Sequence, residues 1–374
     1  VTTAAPLAWQ HDLLDVAGRV TGPRLAREID RQINVAGAQR TEPVLYLSLG
    51  EPATAPTSRR WRSITTVLET TGRDMSRSEY LEFYASASPG QELALVFDIG
   101  TVSEDAFYYS PTGETNGTYP DGRPWGLGIL DEEARVAMRE LWSTARDTLG
   151  LWNQSCRAEP GQPAYPPGDP RANCTRGNGL VDTEDLDGNG ILDGTDGAYF
   201  RYVVRLDGTS PYLVRDRNAT GTEFALYRIP LRGPDAIAVN GATEGTWRYI
   251  KHLRLTVAGM AGVPGTPDVA LARMRIIGSR WTKRDVHGIL AGLSGDRPGA
   301  GAASTEFRVG PVSRITDGAA YAPPPGVGDE LQDPNSAYGS TGVEYNEKSL
   351  RLTYAGLEPG DRAEAYFRYP QQPR

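Results

Sequence analysis

Short runs in which polar and apolar residues alternate dominate this chain. Glu79-Tyr80-Leu81-Glu82-Phe83-Tyr84 mixes polar and apolar residues in this way, and Arg248 to Val257 does so less strictly. A period of two sends successive side chains to opposite faces, the mark of a strand with one face on a core. The pattern predicts eight strands: Val44–Leu49, Trp61–Leu68, Glu79–Ala85, Glu92–Ile99, Tyr199–Leu206, Glu223–Leu231, Trp247–Val257 and Val269–Trp281. Joined by turn-rich links, they predict a mainly β protein whose residues 43–304 form a jelly-roll-like β-sandwich.

A long excursion, about residues 110–197, interrupts the alternation. Its one clear helical pattern runs from Asp131 to Leu151, where Met138, Leu141, Trp142, Ala145, Leu149 and Trp152 recur at helical spacing. Asp131, Glu132 and Glu133 at its start suit the positive end of a helix dipole. The aromatics are read as packing the helix on the sandwich. A weaker helical pattern covers Gly22 to Val35, inside an N-terminal segment or linker of residues 1–42. From Thr305 the alternation restarts, at Glu306–Ile315, Val343–Tyr354 and Ala363–Tyr369, with Pro323–Gly326 as a link. Residues 305–374 are therefore expected to open a second sandwich that Arg374 leaves incomplete, as in a piece of a longer protein.

Composition narrows the function classes. The 374 residues carry 39 Lys+Arg against 47 Asp+Glu, with no basic tract, so neither nucleic acid nor an anionic membrane surface is expected as a partner. The longest apolar runs, such as Leu93 to Val96, are too short for a spanning helix. No charged start with an apolar stretch marks a signal peptide, and Val1 is not an initiator. Cys156 and Cys174 bracket a Pro-rich loop. Paired, they would close it at a gain of roughly 3 kcal/mol; the alternative is two separate buried thiols. Asn116, Asn153, Asn173 and Asn218 head glycosylation sequons, which decide nothing without a known host.

The most specific motif is Asp185-Leu186-Asp187-Gly188-Asn189-Gly190-Ile191-Leu192-Asp193-Gly194-Thr195-Asp196. Asp185, Asp187, Asn189, Asp193 and Asp196 place side-chain oxygens at loop positions one, three, five, nine and twelve. Gly190 stands at six, where an EF-hand-type loop turns sharply, and Ile191 at seven offers its carbonyl. These six residues are the candidate ligands of a structural calcium ion. Asp196 is one methylene shorter than the usual Glu, which makes bidentate ligation less assured. The alternative is a solvated acidic turn.

No comparable pattern points to catalysis. The histidines are His11, His252 and His287, and His252 lies in a β pattern beside Lys251 and Arg254. Nucleophile elbow, phosphate loop and zinc-type histidine pair are all missing from the sequence. Glu104-Asp105 is the most tempting carboxylate pair, but neighbours on a strand face opposite ways and a structural turn is the expectation. The chain is read as non-catalytic. A rival reading is a calcium-stabilised carbohydrate-binding module, since jelly rolls present sugar-stacking surfaces and Tyr108, Tyr109, Tyr119 and Trp125 lie in the excursion.

Three groups of segments resemble one family. The first is Trp61-Arg62-Ser63-Ile64, Ser78 to Phe83, and Leu95-Val96-Phe97-Asp98-Ile99-Gly100-Thr101-Val102-Ser103-Glu104-Asp105. The second joins Gly126 to Glu133 with Glu184-Asp185-Leu186-Asp187-Gly188-Asn189 and Tyr199-Phe200-Arg201-Tyr202. The third is Ala322 to Val327, Asn346 to Leu350 and Leu357 to Ala363. In order and spacing they are similar to the soluble inserted domains of SprA (Sov), the outer-membrane translocon of type IX secretion. The resemblance covers most of residues 43–370. It implies an extracytoplasmic module of a giant β-barrel protein that exports folded cargo, works with a plug subunit and a shuttle protein, and supports gliding motility in some bacteria. Partners would be the rest of that outer-membrane protein, other secretion-system subunits and cargo. None of the segments here reads as a transmembrane barrel strand, so the barrel would lie outside this chain.

Overall fold

The computed structural model describes short stretches of residues 2–33, then 41–49, 59–87, 93–104, 185–259, 268–278, 281–284, 306–313, 349–355 and 364–367, with residues 317 and 320–322. The helix expected over Asp131–Leu151 and the Cys156–Cys174 pairing lie outside these residues. So do the aromatics of the excursion, Asp105, and the histidines His11 and His287.

Twelve strands form the sandwich: β1 (Thr2–Ala4), β2 (Leu7–Gln10), β3 (Val44–Leu49), β4 (Arg59–Val67), β5 (Ser78–Ala87), β6 (Leu93–Gly100), β7 (Tyr199–Arg205), β8 (Leu213–Arg215), β9 (Ala225–Pro230), β10 (Ile237–Val239), β11 (His252–Gly259) and β12 (Asp268–Gly278). One sheet runs β1-β4-β11-β6-β7-β10 and the other β8-β9-β5-β12-β3-β2. Taken without the short edge strands β1, β2, β8 and β10, the remaining eight pair in a nested way. The first of them pairs with the last (β3 with β12), and β4 pairs with β11, β5 with β9 and β6 with β7, all antiparallel. That is one long hairpin rolled into two layers, the jelly roll expected from the alternation.

Between the layers, Leu81, Phe83 and Ala85 of β5 and Tyr227 and Ile229 of β9 meet Leu95, Phe97 and Ile99 of β6 and Leu253, Leu255 and Val257 of β11. Phe83 lies 5.0 Å from Phe97 and stacks on Tyr227 at 5.5 Å. The strand expected over Trp247–Val257 begins only at His252; Glu244–Arg248 is a 3₁₀ turn instead. The reason is packing. The turn carries the Trp247 indole into the end of the core, stacked on Phe200 at 4.8 Å, with the Arg232 guanidinium 4.7 Å from the ring centroid.

Both outer faces are also occupied. On the second sheet the helix α1 (Ala26–Ile29), much shorter than the Gly22–Val35 pattern, sets Ala26, Ile29 and Ile33 against Val44, Tyr84, Phe224, Leu226, Ala270 and Ala272. It ends where Asp30 turns extended and gives its carboxylate to the Tyr84 hydroxyl and Arg215 Nη1, at 3.0 and 2.6 Å. Burial raises the Asp30 carboxyl above the usual range, with Arg215 opposing. Beyond the sandwich, β13 (Thr282–Arg284) pairs with β16 (Glu364–Tyr366), and β14 (Glu306–Val312) with β15 (Ser349–Ala355). The β14–β15 hairpin rests on the sandwich: the Tyr80 ring lies so close to Gly310 that an added Cβ would come within 2.7 Å of it. Asp317 links Arg228 of β9 to Arg351 of β15. Among the described residues no helix is long and apolar enough to cross a membrane.

Candidate metal site at the base of the insertion

Strands β6 and β7 are adjacent in the first sheet, yet residues 101–198 separate them. The described ends of that connection, a corner at 101–104 and a loop at 185–198, come together at the end of the sandwich. Each backbone N–H of the corner has its own acceptor. Thr101 donates to the Ala198 carbonyl (3.0 Å), Val102 to His252 Nδ1 (3.3 Å), Ser103 to Asp196 Oδ1 (2.7 Å) and Glu104 to the Asp193 carbonyl (3.0 Å). Glu104 is 3% exposed, and its two carboxylate oxygens accept the N–H groups of Leu186 (2.9 Å) and Asp193 (3.0 Å). Glu104 is thus bound to the loop from within the corner.

The acidic loop folds on its own side chains. Asp185 accepts the N–H groups of Asn189 and Gly190 at 3.0 and 2.8 Å, Asp187 that of Asn189 at 3.1 Å, and Asn189 Oδ1 that of Ile191 at 2.6 Å. Such side-chain-to-backbone bonds are why Asp and Asn initiate turns. Gly190 takes φ +76°, the left-handed geometry that position six of a calcium loop demands and that a Cβ would strain.

Of the six candidate ligands, the structure brings Asp185 and Asp187 together and adds a carboxylate from outside the motif. One oxygen each of Glu104, Asp185 and Asp187 lie within 4.8 Å of one another. Oxygen-only donors at that spacing fit a hard cation, whose bonds to oxygen run about 2.3–2.6 Å for calcium. Asn189 sits on the same turn, and Ile191 is 67% exposed at the tip. Asp193 meets Glu104 through its main chain. Asp196 is engaged elsewhere: it accepts Arg254 Nη1 and Nη2 at 3.0 and 3.2 Å as well as the Ser103 N–H. After Gly194 the chain runs toward β7 and carries this shorter carboxylate over the first sheet.

Arg254 is 1% exposed and continues inward to Asp98, Nε to Oδ2 at 2.9 Å. Asp98, 0% exposed, also takes Arg201 Nε and Nη2 at 2.6 and 2.8 Å. Arg254, Asp98 and Arg201 are direct cross-strand neighbours on β11, β6 and β7. Both guanidiniums lie 5.4 Å from the Tyr199 ring centroid, and burial pushes that phenol up to about 12. Two arginines and two aspartates thus form a charge-balanced row from the centre of the sheet to the loop. Sequence reading passed over Glu104 as a ligand and missed this row. Its signal was one acid in Leu93–Gly100 and one base in His252–Gly259, opposed in otherwise buried strands.

No model of a known protein family matches the chain, and no curated protein matches it either.

Proposed function

We propose that this chain is a non-catalytic, extracytoplasmic module of a SprA-like translocon of type IX secretion, with an architectural role in the export of folded cargo. One observation carries the reading. Leu95 to Glu104 and the two segments Glu184–Asn189 and Tyr199–Tyr202 belong to different groups of the resemblance and are some eighty residues apart in sequence. Their described parts meet at one place, through Asp98 with Arg201 and Glu104 with the acidic loop. Part of the likeness therefore falls on residues that build the base of the insertion.

Calcium belongs to the same reading. Asp185 and Asp187, with Glu104 from the corner, would hold the ion, and Asn189 and the Ile191 carbonyl are the further oxygens on that turn. Bound there, it would supply only structural cross-linking between the two sides of the insertion. The sugar-binding alternative has the jelly roll in its favour. Against it stands the covering of the sandwich: Ala94, Val96, Asp98, Arg254 and Thr256 on the first sheet, and Tyr84, Leu226 and Ala270 on the second, are all buried on the outer faces where a saccharide would lie.

Mass spectrometry of peptides from the outer-membrane fraction of the source organism tests the assignment. Recovery of this sequence in a membrane species far above 40.5 kDa is the expected result. Recovery as a soluble secreted species near that mass would overturn it and favour the sugar-binding module.

A further inference from the structure

The hydrogen bonds at the insertion's base form a second structure there, which shares only Glu104 with the candidate metal site. Thr101, Ser103 and Glu104 are bonded through their N–H groups to the arm Asp193–Ala198, while Val102 is bonded to His252 on β11. From the other side, Asn240 Nδ2 donates to the carbonyls of Asp196 and Gly197, both at 3.1 Å. Gly197 lies so close to Thr101 that an added Cβ would be 3.0 Å from its side chain. An ionic contact across this seam joins Asp196 to Arg254, whose own position is fixed by Asp98 in the middle of the sheet.

The geometry points to a clasp between 101–104 and 193–198 that is closed without a cation, with Arg254 as its lock. Asp196, which a metal loop would use to close around its ion, is spent on the lock. The ends of the connection between β6 and β7 are thereby fixed to the sandwich whether or not a cation is present. The clasp shares one residue with the calcium reading, Glu104, whose N–H belongs to the clasp and whose carboxylate faces Asp185 and Asp187; the rest of the ion's site is the tip at 185–191.

Amide hydrogen exchange of the full chain, in excess EDTA and in calcium, tests this. In EDTA the 101–104 amides stay protected, within about twofold of their rates in calcium. Asp196→Asn keeps an acceptor for the Ser103 N–H but removes the ion pair with Arg254. It speeds exchange at 101–104 about tenfold or more, as loss of a charge-assisted bond implies, and leaves the β5 amides unchanged. Free exchange at 101–104 in EDTA, with protection only in calcium, would overturn the proposal. So would an Asp196→Asn protein that exchanges like the parent at 101–104, or one deprotected in β5 as well, because the lock would then not be local. If calcium alters nothing at 185–191 while the EDTA result holds, the calcium reading fails and the clasp stands.

Discussion

Asp98 shows how far a single buried charge can decide stability. It is shared by Arg201 and Arg254 and has no exposure to water. Asp98→Ala would leave two guanidiniums buried without their common partner, and breaking a buried pair from one side costs about 3–5 kcal/mol. Urea unfolding should show that loss. Glu244→Ala, which removes the largely exposed partner of Arg232, should cost about 1 kcal/mol or less. His252 gives a pH dependence. Burial, with Lys251 beside it, lowers its pKa below 6.5, opposed by Asp193 and Asp187. The folded state then binds its proton less readily than the unfolded chain. Its contribution is complete above 6.5 and lost as the pH falls through the depressed value. Urea midpoints between neutral pH and roughly pH 5 should fall, and His252→Asn, which can still accept the Val102 N–H without titrating there, should flatten that part of the curve.

At the scale of elements, much was legible because periodicity reports burial. Val44–Leu49 is the strand that alternation predicts, and β5, β6, β7 and β12 begin within a residue of their expected starts. What misled was a side chain serving the whole fold: Trp247 reads as a strand residue, but the end of the core needs it in a 3₁₀ turn. The acidic loop was legible as a motif, since position six needs glycine and the odd positions need oxygens. Its partners were not, because Glu104 and Arg254 come near it only through the pairing of distant strands. Calcium should raise the melting temperature. At a hundredfold excess over its dissociation constant, a cation specific to the folded state adds about 2.7 kcal/mol, or roughly 3–5 °C for a chain of this length. Asp187→Ala should abolish the difference between melting curves in calcium and in EDTA. A parent protein with identical curves would remove calcium from the reading.

On the scale of the molecule, the central strands β5, β6 and β11 are buried on both faces, while Val203 on β7 and Met274 on β12 stay exposed. The N-terminal segment is part of that cover: without Ala26, Ile29 and Ile33, the outer face at Tyr84, Phe224, Leu226 and Ala270 would open to water. A chain lacking residues 1–33 should bind a dye specific for apolar surface and associate at concentrations where the parent is monodisperse. Light scattering and dye fluorescence read both effects, and a monodisperse, dye-silent truncation would show that α1 is not needed as a cover. The rolled hairpin also sets a timetable. The partner of β3 is β12, whose first residue is Asp268, so a ribosome adding about 5–20 residues per second leaves β3 waiting roughly 10–40 s for it. For that interval the apolar segment Val44-Leu45-Tyr46-Leu47 has only the four-residue β2 to pair with, and the second sheet cannot be completed. Until Asp268 and the residues after it have been made, the nascent chain lacks the strand that closes its second layer.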